Sequence, residues 1–210
     1  MGSSAFLLSK YMNYKFLIPT VALLMLSGCA TTPPTKQDNL CDIFREKSGW
    51  YDDAKDMTEE YGTPINVAMA IMKQESSFRS DVRPPRTKLL GFIPWSRPSS
   101  AYGYAQAQDP VWGEYEDATG GGSRSSFDDA IMFIGWYTDG SQKQLGISKW
   151  DPYSQYLAYH EGRGGYKRKS YQSKPQLIKI ARRVESQAKT YGWQLKQCKA
   201  ELERQSSWWW

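Results

Sequence analysis

Three times in this chain a residue suited to cap a helix stands directly before a proline: Thr63–Pro64, Asp109–Pro110 and Asp151–Pro152. Proline presets φ near the helical value and lacks the amide hydrogen that a first helical turn cannot use, so each pair reads as a helix start, with the first residue as N-cap. Each is followed by a run that suits a helix. In "INVAMAIMKQES", Ile65, Ala68, Met69 and Met72 form one apolar face; "VWGEYEDATG" closes at Gly120–Gly122; "YSQYLAYHEG" precedes Gly164 and Gly165. Ser126 caps "FDDAIMFIGWYTDGSQKQLG", apolar on most sides and therefore the expected central helix. "WYDDAKDMTEEY" stops at Gly62, and "PQLIKIARRVESQAKTYGWQLKQCKAELE" reads as a long amphipathic C-terminal helix with Gly192 as its candidate break. Strand signals are nearly absent and no repeat is found, so the expected fold is all-α. One segment resists the pattern: "RPPRTKLLGFIPWSRPSS", residues 83–100, holds four prolines and reads as a long loop with Phe92, Ile93 and Trp95 exposed.

The N-terminal stretch concerns destination rather than fold. Phe16 to Leu26 is an apolar run behind Lys15, too short for a stable membrane span and laid out like a secretory signal. It ends in Leu26-Ser27-Gly28-Cys29, which resembles a bacterial lipobox, with an ordinary signal peptide as the alternative. The resemblance implies residues 1–28 as signal peptide, lipid on Cys29, and sorting to the periplasmic face of the outer membrane, since Ala30 rather than Asp comes next. Met12 is an alternative start. Residues 29–40 then form a tether, 41–205 the folded domain and 206–210 a tail whose Trp run has no reading.

With Cys29 assigned to lipid, Cys41 and Cys198 stand near the two ends of the domain. An oxidising periplasm favours a disulfide between them, worth about 5 kcal/mol by loop entropy; two separate buried thiols are the alternative. Neither has His or Cys neighbours at ligand spacing, so no metal site is expected. The net charge of +5 falls to +3 once Lys10 and Lys15 are removed with the leader, a weak attraction for nucleic acid, and none is expected as a partner. Nine Trp and fourteen Tyr against one His leave two uses open, core packing or a carbohydrate cleft.

Within this helical frame "AIMKQESSFRSD" ends a helix on Glu75. A carboxylate there faces the negative end of the helix dipole and lies one turn beyond Met72, near the buried face. Both effects favour its protonated form. Two further segments lie downstream: "AYGYAQAQ", with Gly103 and Gln106, and "YLAYHEGRGGY", with Tyr159 and His160. Together, over roughly residues 60–185, the three segments resemble the lytic transglycosylases of the goose-type lysozyme-like kind. That family has a Glu-Ser pair at a helix end, a Gly-x-x-Gln segment and an Ala-Tyr pair.

The resemblance implies a lysozyme-like domain that needs no cofactor and acts on peptidoglycan glycan strands. Glu75 matches the general acid and base, and Ser76 the residue that shapes the site beside it. Gln106 matches a glycan contact, with Gly103 allowing close backbone approach, and Tyr159 matches the tyrosine that steadies the carboxyl. His160 replaces the usual Asn as a further substrate contact or a structural residue, while Tyr104 and Ala105 replace a bulkier apolar pair. The implied reaction cleaves the β-1,4 bond between N-acetylmuramic acid and N-acetylglucosamine and closes a 1,6-anhydro ring. The alternatives are a muramidase that uses water and a non-catalytic glycan-binding lipoprotein. Asp81, Asp109, Glu114 and Glu161 are possible second carboxylates by location alone, and Tyr102, Tyr104, Trp112, Trp136 and Tyr166 are possible sugar platforms.

Overall fold

The structure, a computed structural model, describes residues 32–206. The lipobox, the leader and the Trp tail lie outside the described residues. Among the described residues seven α-helices account for most of the domain: α1 (Leu40–Glu46), α2 (Trp50–Tyr61), α3 (Ile65–Ser76), α4 (Asp109–Thr119), α5 (Phe127–Leu145), α6 (Pro152–Lys167) and α7 (Pro175–Ser206). A 3₁₀ turn, Ser170–Ser173, separates α6 from α7. The all-α expectation holds.

Helix α5 is the centre, burying Phe127, Ala130, Ile131, Phe133, Ile134 and Tyr137 and packing against α2, α3 and α6. Helix α7 runs along α3, α6 and α1 as an unbroken helix of 32 residues. Gly192 is no break. A Cβ there would lie 3.1 Å from the Asn66 amide nitrogen, so the missing side chain lets α7 close on α3, where Asn66 Nδ2 donates to Ala188 O at 2.9 Å. Cys41 and Cys198 form a disulfide that joins α1 to α7 across 157 residues.

Only one of the three expected caps is made as read. Asp151 accepts from the Ser154 amide at 3.0 Å. The carbonyl of Pro64 takes the first helical bonds of α3, which makes Pro64 itself the cap. Thr63 is drawn inward instead, its hydroxyl sharing a 2.7 Å hydrogen bond with Thr138 of α5. Gln108 caps α4, and Asp109 becomes its first residue, paired with Arg124 at 2.7 Å. Ser126 stands at the cap of α5, but its hydroxyl goes to Asp128.

Residues 32–39, read as tether, are laid along the domain. Thr35 bonds Glu46 through amide and hydroxyl, Gln37 O accepts from Tyr191, and Asp38 pairs with Lys73. The Pro-rich loop contains a small antiparallel hairpin, β1 (Lys88–Leu89) and β2 (Ile93–Pro94), where the sequence predicts only loop. Its turn carries Leu90 at φ +54° and Gly91 at φ +81°, and the Leu-Gly pair lacks the Asn or Asp that usually announces such a turn.

Candidate active site

Glu75 stands on the last turn of α3, one residue before the helix ends. The turn after the helix is strained. Ser77 and Phe78 are both left-handed, at φ +52° and +57°, a conformation unfavourable for any residue with a Cβ. The turn is held because Phe78 is fully buried, 6.0 Å from Trp50, and the Ser77 amide closes the helix onto Lys73 O at 2.9 Å. The backbone reversal fixes the end of α3 and with it the carboxyl of Glu75.

The opposite wall is α6. Its residues Tyr156 and Tyr159 are one turn apart and so share the face turned toward α3. Tyr156 is buried, and its hydroxyl is the hydrogen-bonding neighbour of the Glu75 carboxyl. The second oxygen, Oε1, is shut from solvent and has no hydrogen-bond partner among the described residues. Burial pushes the Glu75 carboxyl up to about 7, against a smaller downward pull from Tyr156. No second carboxylate contributes to that shift among the described residues.

Tyr159, expected to steady Glu75, has that carboxyl among its electrostatic neighbours and donates to the Ala105 carbonyl at 2.6 Å. It thereby ties α6 to the segment carrying Gln106. Gln106 is itself left-handed, at φ +50°, and its amide nitrogen donates to Val82 O at 2.9 Å and Gly103 O at 2.8 Å. Its nitrogen thus shapes the loop. Gly103, at φ +74°, meets another strand of chain: a Cβ there would lie 1.9 Å from Arg124 O, so glycine is required where the Tyr104 amide donates to that carbonyl at 3.1 Å. Tyr104 fills the core beside Trp50 and Phe127, and Ala105 is fully buried. Ser76 is buried with its hydroxyl turned back to Met72 O at 3.3 Å.

His160 stands half-exposed beside this segment, and its Nδ1 is 3.2 Å from Glu161 Oε1. Glu161 is also held by Lys174, at 2.8 and 2.9 Å, and by the Ser170 hydroxyl, and the three hydrogen-bonding partners outweigh its desolvation to bring its carboxyl down to about 2. A cavity of about 220 Å³ is lined by Gln106, Phe133, Tyr137, Tyr159, His160 and Glu161, among others. Gln106, Tyr159 and His160 are therefore brought together there. Of the other acidic candidates, Asp81 pairs with Arg79 on the surface and Asp109 with Arg124, while Glu114 is exposed and acts on Tyr137 of this cavity. Tyr104 and Trp112 belong to the core, Tyr166 stacks on Tyr171, and Arg83 covers the Tyr102 ring at 4.2 Å.

Glu75 does not itself line that cavity; its half-buried carboxyl, at a strained helix end with Oε1 unpartnered, has Tyr156 and Tyr159 as neighbours, and Tyr159 connects it to the cavity. A family profile for the transglycosylase SLT domain matches residues 17–198. The chain belongs to the transglycosylase SLT family. No curated protein shows significant similarity to it. SLT membership carries a peptidoglycan-directed function of the lytic-transglycosylase type, with glycan strands as substrate. Tyr156 escapes the motif pattern in the sequence, although its spacing of three residues from Tyr159 on a helix places both on one face.

Proposed function

We propose that this SLT-family protein is a lytic transglycosylase in which Glu75 is the sole catalytic carboxyl. The observation that carries this reading is the state of Glu75: half-buried, with Oε1 shut from solvent and unpartnered, its carboxyl pushed up to about 7, and without a second carboxylate acting on it among the described residues. Hydrolytic glycosidases commonly place two carboxyls about the scissile bond, while substrate-assisted reactions need one acid and a neighbouring group of the sugar.

In the proposed cycle Glu75 donates its proton to the glycosidic oxygen as the bond from C1 of N-acetylmuramic acid breaks. The N-acetyl oxygen of that sugar stabilises the electron-poor carbon. Glu75, now a carboxylate, takes the proton of the 6-hydroxyl, whose oxygen closes on C1 to give the 1,6-anhydro ring. The proton count returns to its start and water is not consumed. The Tyr156 hydroxyl supports the carboxylate stage, and burial supports the acid stage.

Mass analysis of sacculus digests tests the reading. Wild type is expected to release fragments with anhydro ends, and Glu75→Gln none. Reducing ends would replace it by a muramidase, and binding without release by a glycan-binding lipoprotein.

The lipobox-like sequence supports a location on the periplasmic face of the outer membrane through lipid on Cys29. Labelling by palmitate in wild type, lost in Cys29→Ser, is the expected result.

A further inference from the structure

Among the described residues seven large apolar side chains are exposed, and five of them, Leu89, Leu90, Phe92, Ile93 and Trp95, belong to one hairpin. Scattered singly they would need no account; gathered on one short hairpin they do. Leu90 and Phe92 at the turn are 76% and 72% exposed, so the tip projects from the domain. Between Lys88 and Ser96 the only side chain able to hydrogen-bond is the Trp95 indole. Four basic residues, Arg83, Arg86, Lys88 and Arg97, flank this tip, and no acidic residue occurs between Asp81 and Asp109. Arg83 lies over Tyr102 and Arg97 donates to Pro84 O at the hairpin root. Arg86 and Lys88 are exposed and form no ion pair among the described residues.

We infer that the Thr87–Ser96 hairpin docks on an anionic lipid surface, its apolar tip entering the acyl boundary and Arg86 and Lys88 pairing with headgroup phosphates. An apolar tip below a basic collar suits the two layers of a bilayer surface. A glycan fits less well, because sugar recognition needs polar side chains beside the aromatic faces and this tip offers one indole N–H. A second copy fits less well too, since it would bring two basic collars together. The hairpin is rooted at the site: Val82 O, just before it, accepts from both the Gly103 amide at 3.0 Å and Gln106 Nε2 at 2.9 Å. Docking would therefore fix the orientation of the Gln106 loop relative to the lipid. The inference stands on the hairpin and is independent of the cleavage chemistry and of lipid on Cys29.

Hydrogen exchange at residues 86–97 of the full chain carrying Cys29→Ser tests it, because the readout is local and excludes a contribution from a thiol-linked lipid. Vesicles of phosphatidylglycerol and phosphatidylethanolamine are expected to slow exchange across the turn, and phosphatidylcholine vesicles to do so only at much higher lipid. Arg86→Gln with Lys88→Gln is expected to raise the anionic lipid needed for half-maximal protection by about 25-fold, a factor of roughly five per charge removed. Leu90→Ser with Phe92→Ser is expected to abolish protection while circular dichroism stays unchanged. Equal protection by both vesicle types, protection by sacculi but not vesicles, or protection that rises with protein concentration in the absence of lipid would each overturn the proposal.

Discussion

Glu75 on α3 and Glu161 on α6 are both withdrawn from water, and burial by itself would push both carboxyls up. They part in opposite directions. Glu161 meets Lys174, Ser170 and His160 and is brought down to about 2; Glu75 meets one tyrosine hydroxyl, keeps Oε1 unpartnered and rises to about 7. Desolvation thus sets a demand, and the partners decide whether it is met. The carboxyl that anchors structure has three partners; the one proposed to carry a proton has only the Tyr156 hydroxyl.

The largest expected effect breaks the comparison at its functional end. Glu75→Gln keeps the shape but cannot exchange the proton, and cleavage of sacculi should fall by roughly 10²- to 10⁴-fold. Glu161→Gln should leave turnover per folded molecule near wild type; comparable loss in both variants would erase the distinction between them.

Stability should separate the two next, with opposite signs. The raised pKa of Glu75 means that the folded state holds a proton the unfolded chain releases as pH climbs from about 4.5 toward about 7. The charged form is therefore a burden above that window, and Glu75→Gln should stabilise the domain by about 3 kcal/mol at pH 8. Urea unfolding at pH 8 and pH 4 checks this, since the gain should vanish at the lower value. For Glu161 the depressed pKa contributes stability that is present above about pH 4.5 and lost as pH falls toward about 2. Glu161→Gln should cost about 2 kcal/mol at pH 7, allowing for screening through the half-exposed Lys174, and the difference from wild type should shrink at pH 3.

The smallest effect concerns the one donor Glu75 has. Its hydrogen bond from Tyr156 favours the carboxylate, so Tyr156→Phe should raise the Glu75 pKa and move the alkaline fall of activity upward by up to about one pH unit. Activity of wild type itself should decline as pH rises through about 7. A profile for Tyr156→Phe that superimposes on wild type would show that the hydroxyl does not act on Glu75.

Features set by neighbours in sequence are the ones the sequence makes legible. The end of α2 at Gly62 and the opening of α6 at Asp151 depend on residues within one turn and can be read from composition and spacing. Thr63 reads as a cap but is not one, because its hydroxyl finds Thr138, 75 residues away. Gly192 reads as a break but serves the close approach of α7 to Asn66. The hairpin is hidden in the sequence because its turn uses Leu90 in a conformation that side chain does not favour.

At the site the same division holds. The sequence by itself determined which carboxyl is proposed as the acid, because Glu75 at a helix end, with Gln106 and Tyr159 in order behind it, is a pattern of local signals. Tertiary structure alone decided that the Tyr156 hydroxyl reaches that carboxyl and that Tyr159 holds the Gln106 loop through Ala105. The reason is physical: periodicity fixes which face of a helix a side chain occupies, but a hydrogen bond is settled within tenths of an ångström by where a distant segment comes to rest.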